Sequence, residues 1–121
     1  MIDLRKYKDL IEEVVAKVDK KDSNWKWSVK YIGKTKVHIR WSYLDYCGEK
    51  NNNCFFLVME NEQKGTGTGD WLWARSPNGG IIEAYMVVEG KPNPKLGAEQ
   101  NIKSAIRSAI EEIAYTAHSR Y

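Results

Sequence analysis

The chain has 121 residues and a mass of 14.0 kDa, and 42% of its residues are hydrophobic, which is enough to build one domain spanning residues 1–121. Its 19 basic and 16 acidic residues leave a net charge of +3, too small to imply a nucleic-acid or membrane partner without local clustering. No segment reaches the roughly 20 apolar residues of a membrane span, and the charged N-terminus is unlike a signal peptide, so we expect a cytoplasmic protein without membrane contact.

An amphipathic helix is predicted at the beginning of the chain. Asp3 can accept hydrogen bonds from the unpaired N–H groups of a first helical turn. From Leu4 to Val18, apolar residues recur with the 3.6-residue period of one helix face. The helix should end near Lys20 or Lys21, because polar, turn-forming residues follow.

Residues 25–43 predict a β-hairpin with one apolar and one polar face. Apolar side chains occupy the odd positions of both strands (25–31 and 37–43), and polar side chains lie between them. Facing residues must therefore have numbers with an even sum, which requires a connecting loop with an odd number of residues. We expect three residues in this loop, around Gly33 and Lys34.

A third strand is predicted over Cys54–Met59. Because nearly all of these residues are apolar, the strand should be central in the sheet or buried on both faces. The glycine-rich segment Gly65–Gly69 follows it. This segment leads into a strand and not into a helix, so we interpret it as a hairpin loop and not as a phosphate-binding loop.

A second hairpin is predicted from its turn. The fourth strand spans about residues 70–75, and Pro77-Asn78-Gly79 fits a three-residue loop in which Gly79 is left-handed. This loop length pairs Leu72 with Ala84 and Ala74 with Ile82. One face of the hairpin then holds aromatic and charged side chains: Trp71, Trp73, Arg75, Glu83 and Tyr85.

A long helix is predicted over residues 97–119. Its apolar stripe consists of isoleucines and alanines at helical spacing: Ile102, Ala105, Ile106, Ala109, Ile110, Ile113, Ala114 and Ala117. The element order α-β-β-β-β-β-α predicts an α+β fold, in which a two-layer, five-stranded antiparallel meander sheet carries the N-terminal and C-terminal helices on one face.

The sheet face that the helices leave open is the candidate binding surface. On the first hairpin it carries basic residues with no acid among them, and on the second hairpin it carries aromatic rings. Cations attract phosphates, and unstacked bases stack on aromatic rings. The candidate ligand-binding residues are Lys26, Lys30, Lys36, His38, Arg40, Trp71, Trp73, Arg75 and Tyr85.

Two other interpretations of these residues remain open. The basic side chains can serve solubility alone. Trp71 and Trp73 can form a dimer interface or anchor a protein partner. They could also point into the core, but this would require Leu72 and Ala74 to face outward, which contradicts the predicted register.

No catalytic, metal-binding or cofactor motif stands out. Nucleophilic catalysis needs a base beside a serine or cysteine, and nothing in the sequence links His38 to Cys47 or Cys54. The spacing of the two cysteines is unlike that of a zinc site, and a reducing compartment favours free thiols over a disulfide. We therefore expect no metal and no cofactor, and an enzyme is the less favoured class of protein.

The sequence favours a non-enzymatic binding module that holds an anionic ligand, either single-stranded nucleic acid or a nucleotide, on a basic and aromatic sheet face. The alternative is a small protein–protein inhibitor or adaptor, for example a phage or mobile-element accessory protein of the anti-defence or immunity type. Its target would be a protein that Trp71 and Trp73 anchor. A homodimer formed through the same patch is compatible with both hypotheses.

Overall fold

The computed structural model describes residues 2–19, 25–44, 47, 50–62, 69–88 and 98–120. A 3₁₀ turn (Leu4–Tyr7) leads into helix α1 (Lys8–Asp19), and the chain ends in helix α2 (Ala98–Arg120). Between the helices lie the strands β1 (Trp25–Ile32), β2 (Lys36–Leu44), β3 (Lys50–Glu62), β4 (Gly69–Arg75) and β5 (Ile81–Val88). The strands pair antiparallel in chain order, which confirms the predicted α+β meander.

The N-terminal segment is fastened to the first hairpin. Asp3 caps the 3₁₀ turn as predicted, because its carboxylate accepts a hydrogen bond from the backbone N–H of Arg5 at 3.0 Å. The backbone N–H of Leu4 donates to the carbonyl oxygen of Lys34 at 2.7 Å, and the Leu4 side chain is fully buried. The start of the chain is therefore held against the loop between β1 and β2.

The first hairpin has the predicted loop and the predicted faces. Ile32 pairs with Lys36, which leaves residues 33–35 as a three-residue loop, and Gly33 adopts a φ of +66°. Odd-numbered side chains of β2 are buried, namely Val37, Ile39 and Trp41. We call the side of the sheet to which they point the inner face, and the opposite side the outer face.

Strand β3 lies in the centre of the sheet, between β2 and β4. Its inner-face side chains Phe55, Leu57 and Met59 are buried. On the outer face, Phe56 and Val58 are only half-buried. Of the two predicted possibilities, the central position is confirmed, and burial on both faces is not.

The turn of the second hairpin is the predicted one. Gly79 has a φ of +87°, and Arg75 faces Ile81, as a three-residue loop requires. The N–H of Ser76 donates to the carbonyl oxygen of Gly80 at 2.8 Å and closes the loop. Gly79 is thus the residue that allows this turn, because the left-handed region is unfavourable for other L-residues.

Beyond the turn, the predicted register of the second hairpin is wrong. A β-bulge at Ile82 adds one residue to β5, so Leu72 faces Tyr85, where an uninterrupted ladder would place Ala84. One extra residue reverses the two faces of a strand. Tyr85 and Glu83 therefore lie on the inner side of the sheet, and not on the same face as the two tryptophans of β4.

The bulge changes which side chains of β5 face the core. It turns Tyr85 against the core, and a second register shift beside Asp70 accompanies the burial of Val87, which is 1% exposed. The smaller Ala84 goes to the outer face. In exchange, the larger ring of Tyr85 takes the inner position, while Met86 goes to the outer face and is 38% exposed.

The helices and the inner face share a hydrophobic core. The whole predicted stripe of α2, from Ile102 to Ala117, is buried in it. Trp41 of β2 also lies in this core, with its ring centroid 5.9 Å from that of Trp27 and 5.5 Å from that of His118 on α2. Within the described part of the chain, both helices thus pack on the inner face, and neither lies on the outer face.

No described helix combines the length and the apolar character that crossing a bilayer requires.

Three predictions concern parts of the chain that the structure does not describe. They are the end of the first helix near Lys20 or Lys21, the glycine-rich loop up to Thr68 and the orientation of the Trp25 side chain.

Candidate functional site

The outer face carries side chains in rows that run across the strands. A central row consists of Lys30, His38, Phe56, Arg75 and Ile81. The second row, beside it, consists of Ile32, Lys36, Val58, Trp73 and Ala84. The third row consists of Glu60, Trp71 and Met86. The two hairpins therefore share one outer face, a question that the sequence left open.

The half of the outer face on β1 and β2 is basic. Lys26, Lys30, Lys36 and Arg40 are all exposed there. Among the outer-facing side chains described on these two strands, none is acidic. Although the net charge of the whole chain is small, positive charge is therefore concentrated on this half of the outer face, where it can attract an anion.

His38 lies in the middle of these cations. Its ring stands edge-on to Phe56, with centroids 4.9 Å apart and an angle of 87° between the planes. Partial burial lowers the pKa of His38 below its ordinary value of 6.5, and the charges of Lys36, Lys30 and Arg40 lower it further. The imidazole is therefore mainly neutral at pH 7, and the four longer side chains supply the positive charge.

The other half of the outer face is aromatic. Trp71 and Trp73 lie in adjacent rows of β4 with ring centroids 6.1 Å apart, and Phe56 lies on the neighbouring strand. All three rings are half-buried, so part of each is accessible. The Nε1 atom of Trp73 is buried without a hydrogen-bond partner.

Cations lie over two of these rings. The Nζ atom of Lys36 is 5.2 Å from the centroid of Phe56, and the Cζ atom of Arg75 is 5.2 Å from the centroid of Trp73. Arg75 is also held by Glu60, 3.5 Å away, and donates to the carbonyl oxygen of Gly79 at 3.0 Å. The basic and aromatic halves are therefore in contact with each other.

Most of the predicted site residues come together, and one does not. The structure places these predicted residues on the outer face: Lys26, Lys30, Lys36, His38, Arg40, Trp71, Trp73 and Arg75. Tyr85 is the correction, because the bulge turns it to the inner face. Burial, together with the nearby carboxylates of Glu83, Glu112 and Glu111, raises the pKa of Tyr85 to about 12, which agrees with a position near α2.

Phe56 also belongs to this site, although it is not among the residues predicted from the sequence. The signal was present in the numbering of the strands. If the apolar face of β2 is odd-numbered and β3 pairs with it, then only one of Phe55 and Phe56 can point inward. The alternation was hidden because both residues are apolar.

The cysteines, the possible metal ligands and the cavity beside the helices give less support for a functional site. Cys47 and Cys54 are not joined by a disulfide. Among the described residues, no group of His, Cys, Asp or Glu side chains is placed to hold a metal ion. A cavity of about 610 Å³ between α1 and α2 is lined by Val18, Tyr115 and His118 and is mainly apolar.

Comparison with known protein families, with curated proteins and with solved structures finds no match for this chain.

Proposed function

We propose that this protein is a non-enzymatic binding module that holds single-stranded nucleic acid or a nucleotide on its outer sheet face. One observation carries the proposal: four exposed cations on β1 and β2 lie beside three accessible aromatic rings on β3 and β4. Cations bind phosphate groups, and aromatic rings stack with unstacked bases. We place this binding in the cytoplasm, whose reducing conditions disfavour a disulfide between Cys47 and Cys54.

The charge and the rings are suited to a ligand that combines both properties. A basic surface alone would bind any polyanion, and exposed rings alone would favour an apolar or protein ligand. Nucleotides carry a phosphate and a base within one small unit. The contact between Lys36 and Phe56 shows how closely the two kinds of group lie on this face.

The proposal is tested by titrating the protein with short single-stranded oligonucleotides and following tryptophan emission. If Lys26, Lys30, Lys36 and Arg40 each meet a phosphate, the logarithm of the binding constant should fall with the logarithm of salt concentration with a slope of about −3. Lys36→Glu combined with Arg40→Glu should weaken binding at least about tenfold and leave folding intact, since both side chains are exposed.

A matched control separates this face from net charge. Lys8→Glu combined with Arg107→Glu changes the charge by the same amount at exposed positions of the two helices. This control should bind almost as the unmodified protein does. Equal loss of affinity in the two double variants, or no loss in either, would contradict binding at the outer face.

A protein inhibitor or adaptor is the second candidate, and a different observation favours it. Three large side chains along β5 and α2 are exposed: Ile81 at 57%, Met86 at 38% and Tyr115 at 71%. Exposed apolar groups of this kind often anchor a protein partner. Under this hypothesis oligonucleotides leave the tryptophan emission unchanged, and binding to the target depends weakly on salt but is lost in Ile81→Glu.

A further inference from the structure

We infer that the ligand of the outer face is a polynucleotide strand laid along the direction of the β-strands, with successive bases on Phe56, Trp73 and Trp71 and with its phosphates towards β1 and β2. The inference rests on the proposed function and decides between its two ligands, a strand and a mononucleotide.

The spacing of the rings supports an extended strand. Phe56, Trp73 and Trp71 lie in the central, second and third rows, and successive rows are about 6.6 Å apart along a strand. The centroids of Trp71 and Trp73 are 6.1 Å apart. This distance is nearly twice the rise of about 3.4 Å per nucleotide in a duplex strand. Bases that each contact one ring must therefore be unstacked from one another, which a single strand permits and a duplex does not.

The cations extend over more than one nucleotide. Lys26 and Lys30 are four residues apart on β1, which is about 13 Å, and the row of Lys36 lies about 7 Å further along. Arg40 lies between the rows of Lys26 and Lys30. A mononucleotide places its charge at one point of this series, whereas a strand with one phosphate per nucleotide meets the cations in turn.

The two series overlap, so a single strand can use both. The central row contains both Lys30 and Phe56, and the second row contains both Lys36 and Trp73. In the second row the cation is on β2 and the ring is on β4, a separation of about 10 Å. A nucleotide with its phosphate over β2 therefore extends its base towards β4.

The cations over the rings respond differently to an incoming base. Arg75 is fixed by Glu60 and by the carbonyl oxygen of Gly79, so its planar guanidinium stays beside Trp73 and adds to the stacking surface. The flexible Lys36 is displaced from Phe56 and becomes a phosphate contact.

Ligand length is the first test. Thymidine monophosphate, the dT tetramer and octamer, and a blunt duplex compete with a labelled dT octamer in fluorescence anisotropy at constant salt. Affinity should rise at least about a hundredfold from the mononucleotide to the octamer, because two further bases of the octamer can stack on aromatic rings. The duplex should bind at least about tenfold more weakly than the octamer. Equal affinity for mononucleotide and octamer would overturn the strand and leave the binding face standing, whereas no binding of either would remove both proposals.

The rings are tested separately from the charges. Trp71→Ala should weaken binding of the dT octamer about tenfold, and Trp71→Phe, which keeps a ring, should retain most of the affinity. Tyr115→Ala is the matched control, since it removes an exposed ring from α2. Inorganic polyphosphate that competes as well as the octamer would overturn the assignment of the rings to bases.

The sugar is tested with a U octamer. Phe56, Trp71 and Trp73 contact bases in this arrangement, and the cations contact phosphates, so RNA and DNA should bind within about tenfold of each other. A hundredfold difference would contradict a binding mode that uses only bases and phosphates.

Discussion

His38 is the residue whose environment on the outer face is most clearly defined. It stands edge-on to Phe56 and is surrounded by the positive charges of Lys30, Lys36 and Arg40. Burial and these charges act in the same direction, because both disfavour the protonated ring. An anion bound among the cations would oppose this effect. The protonation of His38 therefore depends on pH in the free protein, and in the complex it also depends on the bound anion.

We expect the stability of the protein to depend on pH through His38. Because its folded pKa is lowered from the ordinary value of 6.5, the unfolded chain binds more protons near that pH. The stabilising contribution is complete above pH 6.5 and is lost as the pH falls through the folded pKa. Urea unfolding between about pH 5 and pH 8 should show a smaller loss of stability in His38→Gln than in the unmodified protein. Parallel pH profiles of the two proteins would contradict a lowered pKa.

Phe56 and Tyr85 show what single residues reveal before the fold is known. Strand parity requires one of Phe55 and Phe56 to point inward, but it does not say which one, because both residues are apolar. The orientation of Tyr85 does not follow from parity at all, since it depends on an extra residue in β5. A tyrosine has an apolar ring and a polar hydroxyl, so it is compatible with either face of the sheet, and composition does not decide which face Tyr85 occupies.

At the level of the elements, the second hairpin separates what a turn determines from what packing determines. The loop fixed the first pair, Arg75 with Ile81, and the left-handed Gly79. The bulge at Ile82 then shifted the ladder by one residue and turned Tyr85 towards the inner face. Tyr85 and Val87 pack on the core in this shifted register.

Gly79 provides a test of this hairpin. A Cβ at this position meets no atom within 4 Å, so a substitution is opposed only by the φ of +87°. Gly79→Ala should lower the free energy of unfolding by about 1–2 kcal/mol, and Gly79→Asn should lower it less, because Asn tolerates the left-handed region. Urea unfolding of both variants measures the difference. Equal effects of Ala and Asn would show that backbone conformation is not the cause.

For the molecule as a whole, the sheet separates stability from binding. The core lies on the inner face with both helices, and the candidate ligand-binding residues lie on the outer face. Changes in the core should therefore alter how much protein is folded without altering the affinity of the folded protein.

Ile110→Val checks this separation. Ile110 of α2 is 0% exposed, so loss of one methylene should lower the free energy of unfolding by about 1 kcal/mol. Affinity for the dT octamer should stay the same, because α2 lies on the opposite side of the sheet. Denaturant unfolding and anisotropy on the same preparation measure the two quantities. A parallel loss of affinity would mean that the core and the outer face are coupled.

The sequence by itself determined the element order, the odd-numbered apolar face of the first hairpin, its three-residue loop and the buried stripe of α2. These features depend on local periodicity and turn chemistry, which any segment carries within itself. Only the tertiary structure decided that both hairpins share one outer face, that Phe56 belongs to it and that Tyr85 does not. The physical reason is that strand pairing and the bulge depend on what packs against the other side of the sheet, and no segment of the sequence contains that information alone.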